Sequence, residues 1–566
     1  MPLLRYAQYR PDVSDYEGEA TRNVLNVIPR GDGYGPFPSF SGYTSALPAA
    51  CRGAFYALNS KDGSVTVFAG TSTRLYQLDN TSYVWTDVSA GGVDYARLSD
   101  TAQWQFAQFG SMVFATQANV SLQVFVLGGS STTFGVATGS PPPAAYIAVV
   151  GRFLVLSGLL NNPYRIHWSA LDDPTNWAPG SNSSDFQDFP DGGLVRGVAG
   201  GDQSGVIFQD QAIRRMAFVP GSPVIFQIDR VSQGVGLYAP YSIVRAGEKI
   251  FFYSTQGFQK IEPGGVPEPI GRERVDRTFG NDLDKANLQL FMGASDPRTT
   301  RVYWAYKSAG GMTALYDKIL GYDSTLDQFF QVSNSGEYLL GLSQSGTTLE
   351  ALDAVAPGAV KVTGAANNGS GLIRLAVTST TGWSTGQIKA VSGVVGTTEA
   401  NKNYTITVID ATHIDLQTSS FVNAYVSGGI VGGSLDSMVL SLDAYATAVQ
   451  PEIAQFDATH TLGFFRGVNL EATMESGEQG TDENRISIRG FRPVTDAATI
   501  YGSLEYRDTQ QATSIVSPET LINARTGRVD LRRDTRYARF KTRIPLGTNW
   551  TFCAGVVPDL AGGGAL

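Results

Sequence analysis

The stretch "IHWSALDDPTNWAPG", Ile166 to Gly180, places His167 close to the adjacent carboxylates Asp172 and Asp173, with Trp168 and Trp177 around them. The chain has only 3 histidines, so this grouping is the first place to look for chemistry. An imidazole near carboxylates can act as a general base. It then needs a nucleophile in reach and donors for the anion that develops, and the neighbouring sequence offers neither. Alternation along "YRIHWSAL" puts Tyr164, Ile166 and Trp168 on one strand face and His167 on the other. Asp-Asp-Pro is a turn entry. Trp168, Asp172, Asp173, Pro174 and Trp177 are therefore read as a structural turn pinned by two tryptophans, with no catalytic residue assigned.

Other chemistries fit less well. The nearest approach to a sialidase-type turn, "SKDGSVTVF" (Ser60–Phe68), lacks a residue between Asp and Gly, has no tryptophan and is not repeated. His413 and His460 lie far apart. The acidic run "EATMESGEQGTDENR" (Glu471–Arg485) lacks the Asp-x-Asp-x-Asp-Gly spacing of a calcium loop and reads as solvated or lumen-facing. Gly runs such as "GGSSTTFG" do not lead into a Lys-Ser/Thr helix start, so they are not phosphate loops. No metal or cofactor is expected, and the chain is not expected to be an enzyme.

One cluster stands apart in a chain of formal net charge −9. "RTGRVDLRRDTRYARFKTRI" (Arg525–Ile544) holds Arg532, Arg533, Arg536, Arg539, Lys541 and Arg543. In a strand, Arg539, Lys541 and Arg543 share one face, while Ala538, Phe540 and Ile544 share the other. This is the candidate assembly interface. Its cations are expected to meet carboxylates of a neighbouring subunit or adaptor.

The elements that must carry these groups are short apolar strands: "VTVFAG", "SMVFAT", "RFLVLSG", "GVIFQD", "KIFFYS" and "RVYWAY". Their centres, Val67, Val113, Leu154, Ile207, Phe251 and Tyr303, recur at a period near 45, each followed by a turn and in most cases a second strand. That is how propeller blades read. "YLLGLSQSGTTLEALD" (Tyr338–Asp353) adds a further unit, bringing the count to about seven. Ala354 to Leu435 is rich in Gly, Thr, Ser and Val. It contains the alternating "NYTITVIDATHIDLQT", and it is flanked by "LEALDAV" and "LDSMVLSLDAY", which look like halves of one element. "NRISIRGF", "TIYGSLEYRD" and "RYARFKTRIPL" alternate again. The expected fold is all-β: a β-propeller-like core with an inserted small β-domain and a C-terminal β-sandwich-like domain. Residues 1–45 form an N-terminal arm with few strand signals, 46–353 the blades, 354–435 the insert, 436–462 a return to the propeller and 463–566 the sandwich. One helix is expected over Asn281–Ala294, capped by Asn281.

Composition agrees with a turn-rich all-β chain: 64 Gly, 25 Tyr, 29 Phe and only 16% charged residues. A charge-poor chain also suits broad subunit contacts. The acidic balance lacks the basic footprint of a dedicated nucleic-acid binder. No apolar run reaches membrane-spanning length, and no secretory leader is read at the start. Two cysteines, Cys51 and Cys553, make no disulfide framework and suit folding in a reducing cytoplasm.

"RPDVSDYEGEATRNVLNVIPRGDGYGPFPSFS" (Arg10–Ser41) resembles the start of the tail nozzle proteins, tail tubular protein B-like, of short-tailed bacteriophages. "WSALDDPTNWAP", "AQFDATHTLGFFRGVNLEATMES" (Ala454–Ser476) and "RYARFKTRIPLGTNW" (Arg536–Trp550) resemble further marks of that family. The resemblance implies a virion protein: a homohexameric, propeller-based ring at the distal end of the tail, in the channel for genome ejection. Its partners would be itself, the tail adaptor above, tail fibres or a tip protein, and the host envelope. Double-stranded DNA would pass without specific binding, because each neutralised phosphate adds affinity. The competing readings are a head–tail connector or neck component, and a carbohydrate-binding receptor protein.

Overall fold

The computed structural model describes the whole chain except residues 1–2, 15–18, 62, 81, 223, 313, 344–359, 433–450, 481–483 and 563–566. The fold is all-β, and its core is a propeller of seven four-stranded antiparallel blades. The six apolar runs are the second strands of blades 1 to 6: Val65–Gly70, Met112–Gln117, Phe153–Leu159, Ser204–Gln209, Lys249–Ser254 and Arg301–Tyr306. A second strand has neighbours on both edges and a packed blade on each face, which is why it reads as a continuous apolar run. Their central residues, from Val67 to Tyr303, are all buried.

Adjacent blades share cores. Phe68 of blade 1 meets Phe125 of blade 2 edge-on at 5.0 Å, and Phe208 of blade 4 meets Phe252 of blade 5 at 5.0 Å. Such aromatic pairs contribute about 0.5–1.5 kcal/mol beyond area burial.

Blade 7 is assembled from distant parts of the chain. Its strands run Tyr338–Leu342, Glu452–Phe456, Thr461–Asn469 and then Pro38–Ala46, which closes the ring from the N-terminal side. The segment expected as an arm of few strands is thus strand-rich. Leu4–Arg5, Asn23–Leu25, Val27–Arg30 and Gly33–Pro36 all enter the sandwich. Its polar, Gly- and Pro-rich composition hid strands that take their apolar support from partners far along the chain. The third strand of blade 7 also crosses the boundary placed at 463.

The sandwich has a six-stranded and a seven-stranded sheet. In the first, Ile486–Thr495 lies between Cys553–Gly562 and Val529–Thr535. In the second, Tyr537–Ile544 lies between Ala472–Glu475 and Tyr501–Arg507. Asn26, at φ 59°, ties the sandwich to blade 6: its N–H donates to the Gln331 carbonyl at 2.8 Å and its side-chain amide to the Glu471 carbonyl at 2.8 Å.

The expected helix over Asn281–Ala294 is not formed. Among the described residues the α-helix is Asp276–Asp282. Asp284 then accepts from the Ala286 N–H and the Asn287 amide, an Asx turn that stops it. Leu283 and Phe291 are buried as anchors of the turn and of the next blade, so their spacing mimicked a helical stripe.

A second compact unit contains a closed six-stranded barrel in the order Val360–Asn367, Ile373–Val377, His413–Leu416, Asn403–Val408, Ile388–Ser392, Ile430–Gly432. "NYTITVIDATHIDLQT" forms one of its hairpins, with Ile406 opposite Leu416. Ile373, Leu375, Ile406, Ile414, Leu416 and Val431 fill its core. The flanking runs "LEALDAV" and "LDSMVLSLDAY" lie outside the described residues.

Candidate functional sites

His167 sits on Arg165–Trp168, the third strand of blade 3, opposite Leu156 and Phe186. Its Nε2 is 3.1 Å from the Trp177 carbonyl oxygen, and its ring meets the Trp177 ring edge-on at 5.5 Å. Burial holds its pKa below the usual histidine value, partly offset by that carbonyl. Asp172, at φ 56°, pairs with Arg152, while Asp173 accepts the Thr175 N–H at 2.9 Å. Trp168 and Trp177 donate their indole N–H groups to the Ser183 and Pro174 carbonyls, each at 2.9 Å. Every polar group singled out in this turn is committed to holding its shape.

The propeller axis is nearly closed. A pocket of 170 Å³ is lined by the innermost strands and lead-in segments of six blades, with Gln105, Tyr146, Tyr241, Met292 and Tyr338 around it. The Tyr241 hydroxyl accepts the Gln103 N–H at 3.0 Å, and burial pushes the Tyr241 phenol up to about 12. That bond joins the lead-in of blade 2 to the lead-in of blade 5 across the pocket, which cannot hold a nucleic-acid duplex.

Ring closure has a buried polar anchor. The Glu337 carboxylate, just before the first strand of blade 7, meets His460 Nδ1 at 2.6 Å and accepts the Cys51 N–H at 2.9 Å. Burial raises the Glu337 pKa. The Leu47 N–H donates to the His460 carbonyl at 2.9 Å, joining the closing strand to the same turn.

The basic strand divides in a way its sequence does not show. Arg539, Lys541 and Arg543 do share one face of Tyr537–Ile544, with Ala538, Phe540 and Ile544 on the buried face. Carboxylates of the same chain lie beside them. Arg539 lies 3.5 Å from both Glu475 and Glu505; Arg543 pairs with Glu471 at 2.9 Å and Glu519 at 2.7 Å; Lys541 is opposite Glu475 in register. Arg507 and Glu478 add two bonds of 2.8 and 2.6 Å. Burial, then the Glu505 charge, raises the Glu475 pKa. The acidic run expected to be solvated or lumen-facing thus supplies two strands, Ala472–Glu475 and Gln479–Gly480, and three of these partners; its residues 481–483 are outside the described set. Arg533 stacks over Tyr506 at 5.6 Å, Arg536 is half-buried, and Arg532 is exposed.

Two features escaped the sequence reading. Asp12 and Asp276 face a cleft that also holds Arg272 and Glu273. Asp276 accepts the Phe258 N–H at 3.0 Å through Oδ1, while Oδ2 is buried without a partner among the described residues. Desolvation, with the Asp12 charge, raises its pKa to about 6. The second is a pair of arginines, Arg489 and Arg492, in "ISIRGFRPVT". The signal was there: strict alternation breaks by one residue at a glycine, the mark of a bulge.

Among the described residues no cluster of three His, Cys, Asp or Glu could hold a metal ion. No protein-family profile matches the chain, and no curated protein matches its sequence. Among solved structures, U3-55K is 8% identical with a TM-score of 0.30 over 70% of this chain and 100% of that one. The dihydro-heme d1 dehydrogenase NirN is 13% identical with a TM-score of 0.30, covering 70% and 78%. An auxiliary nutrient binding protein from Bacteroides thetaiotaomicron is 12% identical with a TM-score of 0.27, covering 43% and 62%.

Proposed function

We propose that this chain is a structural subunit of the distal nozzle ring of a short bacteriophage tail, assembled from copies of itself around the path of the ejected genome. The observation that carries this reading is where the resembling stretches fall. Three of them, far apart in sequence, are adjacent in space. Asn23–Leu25 pairs with Ala472–Glu475, which pairs with Tyr537–Ile544, and Pro38–Ala46 pairs with Thr461–Asn469. The likeness is therefore to one connected body, the junction of ring closure and sandwich, not to scattered words. The fourth stretch is the blade 3 turn, whose groups serve architecture.

The nearly closed propeller axis gives the reading its geometry. Genome would travel through the hole left by a ring of subunits, beside each propeller and not through it. The tail adaptor, fibres or tip protein, and host envelope are the partners this position implies. Electron microscopy of intact particles carrying a tag on this chain is the test. Density at the tail tip is expected. Density at the neck would make it a connector component, density on the fibres would favour a receptor protein, and absence from particles would end the proposal.

A further inference from the structure

A cleft of 360 Å³ opens between blades 4 and 5. In an antiparallel blade the turns after the first and third strands fall at the same end. Such turns wall this cleft: residues 200–203 of blade 4, and residues 247–248 and 262–267 of blade 5. Two arginines cross the seam in opposite directions. Arg215, on the third strand of blade 4, donates Nη1 to the Gly264 carbonyl of blade 5 at 3.1 Å. Arg245, on the first strand of blade 5, donates Nη1 to the Gly200 carbonyl of blade 4 at 2.8 Å and Nε to the Gly247 carbonyl at 2.9 Å. Glycine permits the close walls: a Cβ on Gly200 would lie 2.0 Å from the Val149 carbonyl oxygen, and Gly264 adopts φ +73°.

Backbone carbonyls fix the two guanidinium groups without neutralising them. Arg245 makes no ion pair among the described residues, and its Nη2 makes no hydrogen bond there. Arg215 has only the distant Asp229, at 3.9 Å. The polar side chains around them are also uncommitted. Asp202, Gln203, Ser204 and Glu248 are exposed, and their side chains make no hydrogen bond or ion pair among the described residues. Glu262 is different, already shared by Lys249 at 3.0 Å and Lys260 at 3.2 Å. Val206, Ile250 and Ile261 supply the apolar part of the lining.

Two fixed cations and two free carboxylates balance, so the cleft exerts no net pull on a polyanion. A run of phosphates would meet Asp202 and Glu248 as well as the arginines. An amino-acid zwitterion would use one cation and one anion and leave the Gln203 amide and Ser204 hydroxyl idle. A ligand with one carboxylate, several hydroxyls and a C–H face uses the whole lining. Its carboxylate takes the free Nη1–Nη2 edge of Arg245, the planar match that a guanidinium offers. Its hydroxyls donate to Asp202 and Glu248 and exchange bonds with Gln203 and Ser204. Its C–H face lies on Val206 and Ile250. The volume, at the lower end of the ~300–1,000 Å³ of ligand pockets, suits one sugar ring. We propose that this cleft binds a carboxylate-bearing pyranose, a uronic acid or a sugar of the same chemistry. The proposal goes beyond the ring-subunit reading and does not rest on it.

Saturation-transfer NMR on the full chain with methyl β-D-glucuronoside is the test. Millimolar binding is expected, with methyl β-D-glucoside, which lacks the carboxylate, weaker by about tenfold or more. Arg245→Lys keeps the charge but loses the planar fork, and should weaken glucuronoside binding by about fivefold or more. Asp202→Asn combined with Glu248→Gln removes the strong acceptors and should weaken both sugars. All three positions are exposed, so melting temperatures should match the wild type. No glucuronoside binding, or binding no better than that of the glucoside, overturns the proposal. So does binding that is unchanged in both variants. Displacement of the glucuronoside by an equal concentration of inorganic phosphate would mark a plain anion site, and displacement by glycine an amino-acid site; either overturns it. Where the site holds, tighter binding of a glucuronate oligosaccharide points to a polysaccharide as the source, and tighter binding of free glucuronate to a soluble sugar acid. Particle microscopy tests the ring reading separately, so the two can fail independently.

Discussion

The carboxylate of Asp12 caps a helix at Thr278, accepting its N–H at 2.9 Å and its hydroxyl at 2.6 Å, from 266 residues away in sequence. Its other oxygen accepts the Arg277 N–H at 2.7 Å. Helix Asp276–Asp282 has no side-chain cap of its own, so the N-terminal segment supplies one. Asp12→Ala should cost about 1–2 kcal/mol, the range for losing an N-cap oxygen. Chemical denaturation measures the loss, and limited proteolysis should show earlier cleavage near Asp12. An unchanged midpoint and an unchanged cleavage pattern would show that the segment is held by its strands alone.

Arg539 is only 14% exposed, between Glu475 and Glu505 of its own chain. Arg539→Glu would place three carboxylates together in a site that already penalises charge. The expected cost is about 3–5 kcal/mol, as for a buried pair deprived of one partner. Arg539→Met removes the charge without adding another carboxylate and should cost less. A failure of assembly in Arg539→Glu therefore has to be read against the folded fraction. If it melts like the wild type and only assembly fails, the strand acts at an interface.

The propeller was legible where burial is two-sided. Val67, Val113, Leu154, Ile207, Phe251 and Tyr303 announced six blades because second strands carry unbroken apolar runs. Outer strands such as Gly135–Val136 and Glu268–Pro269 are two residues long and carry no period. The closing strand, "PSFSGYTSA", is polar because it lies at a blade's edge; nothing local marks it. The charged face was legible as alternation, but not its pairing. Which carboxylate meets Arg543 depends on a register set by strands up to 72 residues away.

Asp276 should make stability fall as pH rises. Its folded pKa, raised to about 6 by desolvation, exceeds that of an unfolded aspartate near ~3.9. The sign follows: the contribution is fully present below the unfolded value and is lost as pH rises through about 6. Asp276→Asn cannot ionise, so it should gain on the wild type by about 2–3 kcal/mol between pH 4 and 8. Urea midpoints across that range give the difference curve. A flat difference would mean the carboxyl is no harder to ionise folded than unfolded.

The barrel between Val360 and Gly432 should be separable from the rest. Its first and last strands pair with each other, Val360 opposite Val431 and Lys361 opposite Ile430, so its two ends emerge side by side. Its apolar core is its own. Closing a loop costs only ~0.6 kcal/mol per doubling of length, so an insertion of this kind between two strands of blade 7 is cheap to add or remove. Deletion of Pro357–Gly433 with a short Gly-Ser join should leave a propeller and sandwich that melt within a few degrees of the full chain, by the ~2–4 °C per kcal/mol expected at this size. The excised segment expressed alone should give dispersed amide resonances and a cooperative melt. An insoluble deletion variant, or an excised segment without a cooperative transition, would show that the two units are needed to fold each other.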